Sequence, residues 1–223
     1  MPTLYIVATP IGNMDDVSKR SIDTLRQADL ILCEDTRVTK KLLDRMEIKT
    51  PAMSYHQHSK LPKINDILNF AKQDKVLALV SDAGTPGISD PGNQLIEIFV
   101  KEFGESAKII PIPGPSAMAC SASIAGFSMD KFCFFGFPPA KNKRQKYFKD
   151  LLDQKCPVIF YESCYRIIKT LQEIEALDKE AQVVVCRELT KMFETVYRGK
   201  VGEAISKVKK DPIKGEFTVI VKR

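Results

Sequence analysis

The sequence is poor in the residues that bind metals and form disulfides. It contains only two histidines, His56 and His58, and its six cysteines are scattered with no C-x-x-C pair among them. Because zinc sites need clusters of Cys and His at short spacings, we expect no metal site. Most of the cysteines lie within apolar runs, which is typical of reduced thiols in a protein core.

Long apolar runs are also lacking, and none approaches the roughly 18 residues of a membrane span. The first eight residues carry no basic stretch and have the pattern of a strand, so we expect no signal peptide and a cytoplasmic protein without a membrane partner. The net charge of +6 over 223 residues is compatible with an RNA partner but does not demonstrate one.

Two common phosphate-binding motifs are absent. No G-x-x-x-x-G-K-[ST] run occurs, and the first predicted strand is followed by Pro10-Ile11-Gly12 rather than by G-x-G-x-x-G. These absences argue against a P-loop nucleotide hydrolase and against a Rossmann dinucleotide site.

What the sequence does contain is an alternation of short apolar runs with segments of helical periodicity. Predicted strands cover residues 3–8, 29–33, 76–81, 108–112, 132–136, 157–161, 182–187 and 216–222. Predicted helices cover residues 61–71, 95–103, 116–125, 143–154, 164–177 and 200–209. This alternation predicts an α/β protein. The proline-rich stretch 111–115 divides it, so we expect two α/β domains, residues 1–112 and 113–223, with a ligand cleft between them.

Three segments rich in proline and glycine stand where predicted strands end: residues 9–13, 81–92 and 113–117. In open α/β sheets, ligands bind outside the carboxyl ends of the strands, which makes these segments the candidate site. The second contains Asp82 and Asp90 and no Lys or Arg. It therefore suits a ligand that is cationic or rich in hydroxyl groups better than a polyphosphate. We expect Asp90-Pro91-Gly92 to begin the following helix.

Seven stretches together carry a resemblance to a known family. They are YIVATPIGN (5–13), CEDTR (33–37), VSDAGTPGISDPG (80–92), PGPSA (113–117), FFGF (134–137), FYES (160–163) and CRELTK (186–191). In this order, and over nearly the whole chain, they resemble the tetrapyrrole-methylase superfamily. Within it, the chain is most similar to the bacterial 16S rRNA cytidine 2′-O-methyltransferases.

The resemblance implies a class III methyltransferase fold, S-adenosylmethionine as the cofactor, small ribosomal subunit RNA as the substrate and a homodimer. It also implies a set of residues that contact the methyl donor: Pro10, Asp82, Ala83, Gly84, Ile88, Ser116, Ala117, Glu162, Leu189, Gly215 and Glu216. The last four residues lie in the second half of the chain, where the match to the family's motifs is looser.

Methylation of a ribose hydroxyl is helped by a base that removes its proton. The first candidates for this base are Glu34 and Asp35, and His58 and Glu188 are alternatives. The other interpretation of the Glu34-Asp35 pair is that it caps a helix that begins near Thr36. RNA contacts require cations, and we expect them from the following residues: Arg37, Lys40, Lys141, Lys143 and Arg144.

Two other functions stay open from the sequence. The chain could methylate a tetrapyrrole or a protein residue, as other members of the superfamily do. It could also be a non-catalytic RNA-binding module of ribosome assembly, although all three candidate donor loops are retained.

Overall fold

The structure, a computed structural model, describes residues 1–56 and 61–223 and divides into two units, Met1–Ser116 and Ala117–Arg223. Each unit is built on one five-stranded sheet. Among the helices of the described residues, none is both long enough and apolar enough to span a lipid bilayer. All six cysteines are free thiols.

Unit 1 alternates strands and helices along the chain. Its elements are β1 (Thr3–Val7), α1 (Lys19–Gln27), β2 (Leu30–Cys33), α2 (Thr36–Arg45), β3 (Ala52–Ser54), α3 (Leu61–Ala71), β4 (Val76–Leu79), α4 (Asn93–Phe103) and β5 (Lys108–Ile112). The sheet order is β3-β2-β4-β1-β5, and every neighbouring pair is parallel. The carboxyl ends of all five strands therefore lie at one edge, so the loops after β1, β4 and β5 leave adjacent positions.

The strands of unit 1 are apolar because both faces of the sheet are covered. Leu77 and Leu79 of β4 belong to one buried cluster, whereas Ala78 between them belongs to a second cluster. Successive side chains of a strand point to opposite faces, so the two clusters are the two layers of helix packing. Continuous apolar runs are the expected sequence pattern for this arrangement.

Unit 2 has a mixed sheet. Its elements are α5 (Ala117–Ser123), β6 (Cys133–Phe134), α6 (Arg144–Leu152), β7 (Val158–Ser163), α7 (Ile167–Leu177), β8 (Gln182–Arg187), β9 (Thr195–Lys200), α8 (Val201–Val208) and β10 (Glu216–Lys222). The order is β6-β7-β10-β8-β9, with β6 and β7 parallel and the remaining pairs antiparallel. In this register Ser163 lies opposite Glu216, and Phe217 lies opposite Arg187. The ends of β7 and β8 and the start of β10 therefore share one edge.

The α/β class predicted from the sequence is confirmed, and all eight predicted strands are present, three with the predicted bounds (β5, β8 and β10) and five with shifted ones. Two strands were missed, β3 and β9, as was the helix α1. Both missed strands lie at an edge of their sheet, where burial is partial and the apolar pattern is weak.

Candidate functional site

The loops after β1 and β4 are joined directly. The Thr9 N–H donates to the Gly84 carbonyl at 2.8 Å, and the Gly84 N–H donates back to the Thr9 carbonyl at 3.1 Å. The buried Thr9 hydroxyl also donates to the Ser81 carbonyl at 3.2 Å. Because Thr9 follows β1 and Gly84 follows β4, these bonds join two of the three predicted loops into one frame.

The loop after β5 completes this frame. The Thr85 hydroxyl donates to the Pro115 carbonyl at 3.2 Å. Gly114 passes so close to β1 that a Cβ on it would lie 2.9 Å from the Ala8 Cβ. At Gly84, φ is +82°, and a Cβ would lie 3.3 Å from Cγ2 of Ile11. The three segments that the sequence indicated as a site thus meet, and glycine is required where they cross.

The loop after β2 approaches the same edge. Asp35 is the N-cap of α2, and its carboxylate accepts the Arg37 N–H at 2.8 Å and pairs with the Arg37 guanidinium at 2.6 Å. The bond to the Arg37 side chain, and to a lesser extent the bond to its backbone N–H, hold the pKa of Asp35 well below its usual range. The Asp35 N–H donates to Oδ1 of Asp82 at 3.2 Å, which ties this loop to the β4 loop. The capping interpretation of Asp35 is therefore the one that the structure shows.

An open pocket of about 400 Å³ lies at this edge of unit 1. Its lining residues are Glu34, Asp35, Thr36, Arg37, Ser54, His56 and Asp82. Asp90 is half-buried beside it, and burial together with the negative charges of Glu34 and Asp82 raises its pKa to about 6. Asp90-Pro91-Gly92 leads into the next helix as expected, since Gly92 is the N-cap of α4 and the helix begins at Asn93, although no side chain caps it. The carboxylates of Glu34, Asp82 and Asp90 therefore make one side of the pocket acidic.

Replacing Asp90 by asparagine is expected to stabilise the protein at pH 8 by about 1–2 kcal/mol, with a smaller gain toward pH 4. The folded-state pKa is raised from 3.8 to about 6, so the folded protein binds this proton more tightly than the unfolded chain. The stabilising contribution of the protonated group is present below about pH 4 and is lost as the pH rises through about 6. Urea unfolding of both proteins at pH 5 and pH 8 measures the difference, and a gain that does not change with pH would contradict it.

The carboxylate of Glu162, predicted as a donor contact, is enclosed within unit 2. Its side chain is 0% exposed, and it pairs with Arg166 at 2.8 Å. It also accepts the Thr170 hydroxyl and the Ser163 N–H, both at 2.7 Å. The carboxylate is thus satisfied by its own unit, and its evident role is to hold the turn that follows β7.

Arg144, predicted as an RNA contact, is buried. Its guanidinium pairs with Glu173 at 2.6 Å, donates to the Pro139 carbonyl and the Thr170 hydroxyl, and lies over the ring of Phe148. A guanidinium with this set of partners is not available to a phosphate group. Arg144 therefore does not belong to the RNA surface that the sequence suggested.

The loop after β8 contains the alternative base Glu188. Its carboxylate accepts Lys191 Nζ at 2.9 Å and the Glu216 N–H at 2.9 Å, so it is part of an internal network. Leu189 is buried. Gly215 has φ +90°, and a Cβ there would overlap the Glu188 side chain. These contacts explain the local sequence of this loop without a ligand.

The remaining predicted residues differ in exposure. Pro10 is buried, Ser116 and Ala117 are half-buried, and Asp82, Ala83 and Ile88 are exposed. The four other predicted RNA contacts are all exposed: Arg37, Lys40, Lys141 and Lys143. His58 lies outside the described residues. Within 1–56 and 61–223, no three His, Cys, Asp or Glu side chains are arranged to hold a metal ion.

Known proteins resemble this chain over nearly its whole length. The family model described as "Tetrapyrrole (Corrin/Porphyrin) Methylases" matches residues 3–205. A curated relative from Thermotoga maritima, named ribosomal RNA small subunit methyltransferase I, is 41% identical over 99% of this chain and 98% of its own length. The Bacillus subtilis protein of the same name is 40% identical over 99% of this chain and 75% of its own length.

Solved structures share the fold at low identity. A cobalt precorrin-4 methyltransferase superposes with a TM-score of 0.70 at 18% identity, covering 98% of this chain and 94% of its own. The uroporphyrin-III-C-methyltransferase from Thermus thermophilus gives 0.66 at 13% identity, covering 99% of this chain and 94% of its own. At these identities the likeness concerns the fold alone.

Proposed function

The chain belongs to the tetrapyrrole methylase family of methyltransferases, and we propose that it methylates small-subunit (16S) ribosomal RNA with S-adenosylmethionine as the donor. The finer proposal is that the methyl group goes to the ribose 2′-oxygen of a cytidine in the decoding region. The observation that carries the proposal is full-length similarity, at 41% identity, to a relative named ribosomal RNA small subunit methyltransferase I.

The residues of unit 1 fit the proposed donor. Gly84, at φ +82°, lets the loops after β1 and β4 pack closely against each other, and Asp82 and Ala83 are exposed beside it. The carboxylates of Asp82, Asp90 and Glu34 suit a ligand that carries a sulfonium and an ammonium group. When bound, S-adenosylmethionine supplies a methyl group on a positively charged sulfur.

We therefore assign donor binding first to unit 1, through Pro10, Asp82, Ala83, Gly84, Ile88 and Ser116, with Ala117 following directly. From unit 2, Leu189, Gly215 and Glu216 stay in the proposal. Glu162 stays as a residue that positions the turn after β7, since its carboxylate is fully used there.

The base that accepts the ribose proton is proposed to be Glu34. Arg37 lowers the pKa of Asp35, which makes that carboxylate a weak proton acceptor. Glu34 lines the same pocket next to it. Asp35 then holds the start of α2 in place, so that Glu34 and Asp82 stay at the same edge. Alignment of the ribose oxygen with the methyl group and the departing sulfur can supply much of the rate in such a transfer.

The proposal is tested by incubating the protein with methyl-labelled S-adenosylmethionine and small ribosomal subunits from a strain that lacks this modification. We expect label at one ribose, detected because a 2′-O-methyl group blocks alkaline cleavage at that nucleotide. A corrinoid or porphyrin acceptor and a protein fraction are tested in parallel. Label in either of these, or RNA binding without transfer, would overturn the proposal in favour of the two other functions.

A further inference from the structure

Four large apolar side chains are exposed at the edge of unit 2 where β6, β7 and β8 end. The exposed fractions are 53% for Phe137, 94% for Tyr165, 90% for Met192 and 65% for Phe193. The strand register places the loops that carry them at the same edge, since β6 runs parallel to β7 and both β7 and β8 pair with β10. We call these four residues the apolar edge. One exposed apolar side chain is ordinary, but four at one edge indicate a contact surface.

The turn that carries Tyr165 is firmly held. The Arg166 N–H donates to the Ser163 carbonyl at 3.1 Å, and the Arg166 guanidinium pairs with the buried Glu162. The same guanidinium donates to the Pro138 carbonyl at 3.2 Å, which fixes the loop of Phe137 to this turn. The backbone that presents Tyr165 is therefore held in place before a partner binds, which lowers the entropic cost of ordering this turn.

The loop that carries Met192 and Phe193 is held in a strained conformation. Glu188 and Thr190 both have positive φ, +52° and +66°, without being glycine. Lys191 maintains the loop by bridging Glu188 and Glu216, at 2.9 and 2.8 Å. Strain of this kind persists where surrounding contacts impose it, and it occurs mostly at functional sites. Here it turns the two apolar side chains toward solvent.

We propose that the apolar edge stacks unpaired bases of the RNA substrate, an inference that rests on the proposed function. Lys141 and Lys143 are exposed on the segment that follows Phe137. Lysines beside exposed rings are the combination with which proteins bind single-stranded RNA, the cations following the phosphates while the rings stack on bases. A duplex hides its base faces, so the occupant is an unpaired segment. A homodimer contact at the same rings is the competing occupant.

The test is equilibrium binding of an unpaired RNA oligonucleotide and of the same sequence in a duplex, measured by fluorescence anisotropy at several salt concentrations. Tyr165→Ala and Phe193→Ala are each expected to weaken binding of the unpaired RNA about tenfold to a hundredfold, with an unchanged salt slope. Tyr165→Trp keeps the affinity and Tyr165→Leu does not, because stacking needs a ring. Lys141→Gln with Lys143→Gln instead lowers the salt slope.

Leu177→Ala is the matched control, since Leu177 is an exposed apolar residue at the far end of α7 and its variant is expected to bind as wild type. Wild-type affinity in Tyr165→Ala and Phe193→Ala would overturn the stacking proposal. The stacking proposal would also be overturned if these substitutions converted a dimer to monomers while the variants still bound RNA as wild type. Methyl transfer to RNA by the wild-type protein is assayed alongside. If the wild-type protein transfers the methyl group but the variants bind RNA as wild type, the stacking proposal alone is overturned. If the wild-type protein transfers no methyl group, the proposed function is overturned.

Discussion

Replacing Gly84 by alanine is expected to weaken binding of S-adenosylmethionine at least tenfold. The backbone at Gly84 has φ +82°, where an L side chain costs about 1–2 kcal/mol. The added Cβ would also press on Ile11 at 3.3 Å and disturb the pairing with Thr9. Since Gly84 is where the loops after β1, β4 and β5 cross, relief of this crowding displaces the proposed donor site. Isothermal titration with S-adenosylmethionine measures the loss.

Gly126→Ala provides a matched control for the backbone effect. Gly126 also has φ +82°, but the nearest atom to its added Cβ is Nε of Arg198 at 4.0 Å. This variant is expected to lose a similar amount of stability from the backbone and to bind the donor as wild type. Equal donor affinity in Gly84→Ala and wild type would remove the β4 loop from the donor site.

Replacing Glu162 by alanine is expected to lower the free energy of unfolding by about 3–5 kcal/mol. The carboxylate is fully buried, and its removal leaves the Thr170 hydroxyl and the Ser163 N–H without this acceptor and Arg166 without its negatively charged partner. The Glu162→Gln variant keeps an acceptor for the Thr170 hydroxyl, so its free energy of unfolding is expected to fall by less. Urea unfolding measures both variants.

Two comparisons decide what Glu162 does. Glu180→Ala removes an exposed ion pair with Lys200 and is expected to change stability far less. Donor affinity is then measured under conditions where the Glu162→Gln variant is folded. Wild-type affinity there supports the positioning role, whereas a large loss of donor affinity without a loss of stability would make the carboxylate a direct donor contact.

The sequence predicts the fold well where the signal is local. Buried strands such as β4 are short apolar runs, and α3 places Ile64, Ile67 and Leu68 on its buried face at helical spacing. The strand β9 has a weak pattern because Tyr197 is its one buried residue. Periodicity does not detect a strand that buries so little.

The meeting of the three loops was predictable because their turn residues follow adjacent parallel strands. The electrostatic details were not, since they depend on residues distant in sequence. Arg144 lies in a basic stretch typical of a solvated surface, yet Glu173 and Thr170, 29 and 26 positions away, bury it. Burial, and then the charge of Glu34 that the β2 loop brings near it, raise the pKa of Asp90 to about 6, which no local pattern indicates.

The position of β1 has a consequence for synthesis of the chain. This strand is made before both of its sheet neighbours but lies between them, with Thr3 opposite Val76 of β4 and Lys108 of β5. Its apolar residues therefore remain without sheet partners on the ribosome until more than seventy further residues have emerged, and Thr9 cannot pair with Gly84 before then. The sheet of unit 1 is therefore completed only after β5 has left the exit tunnel.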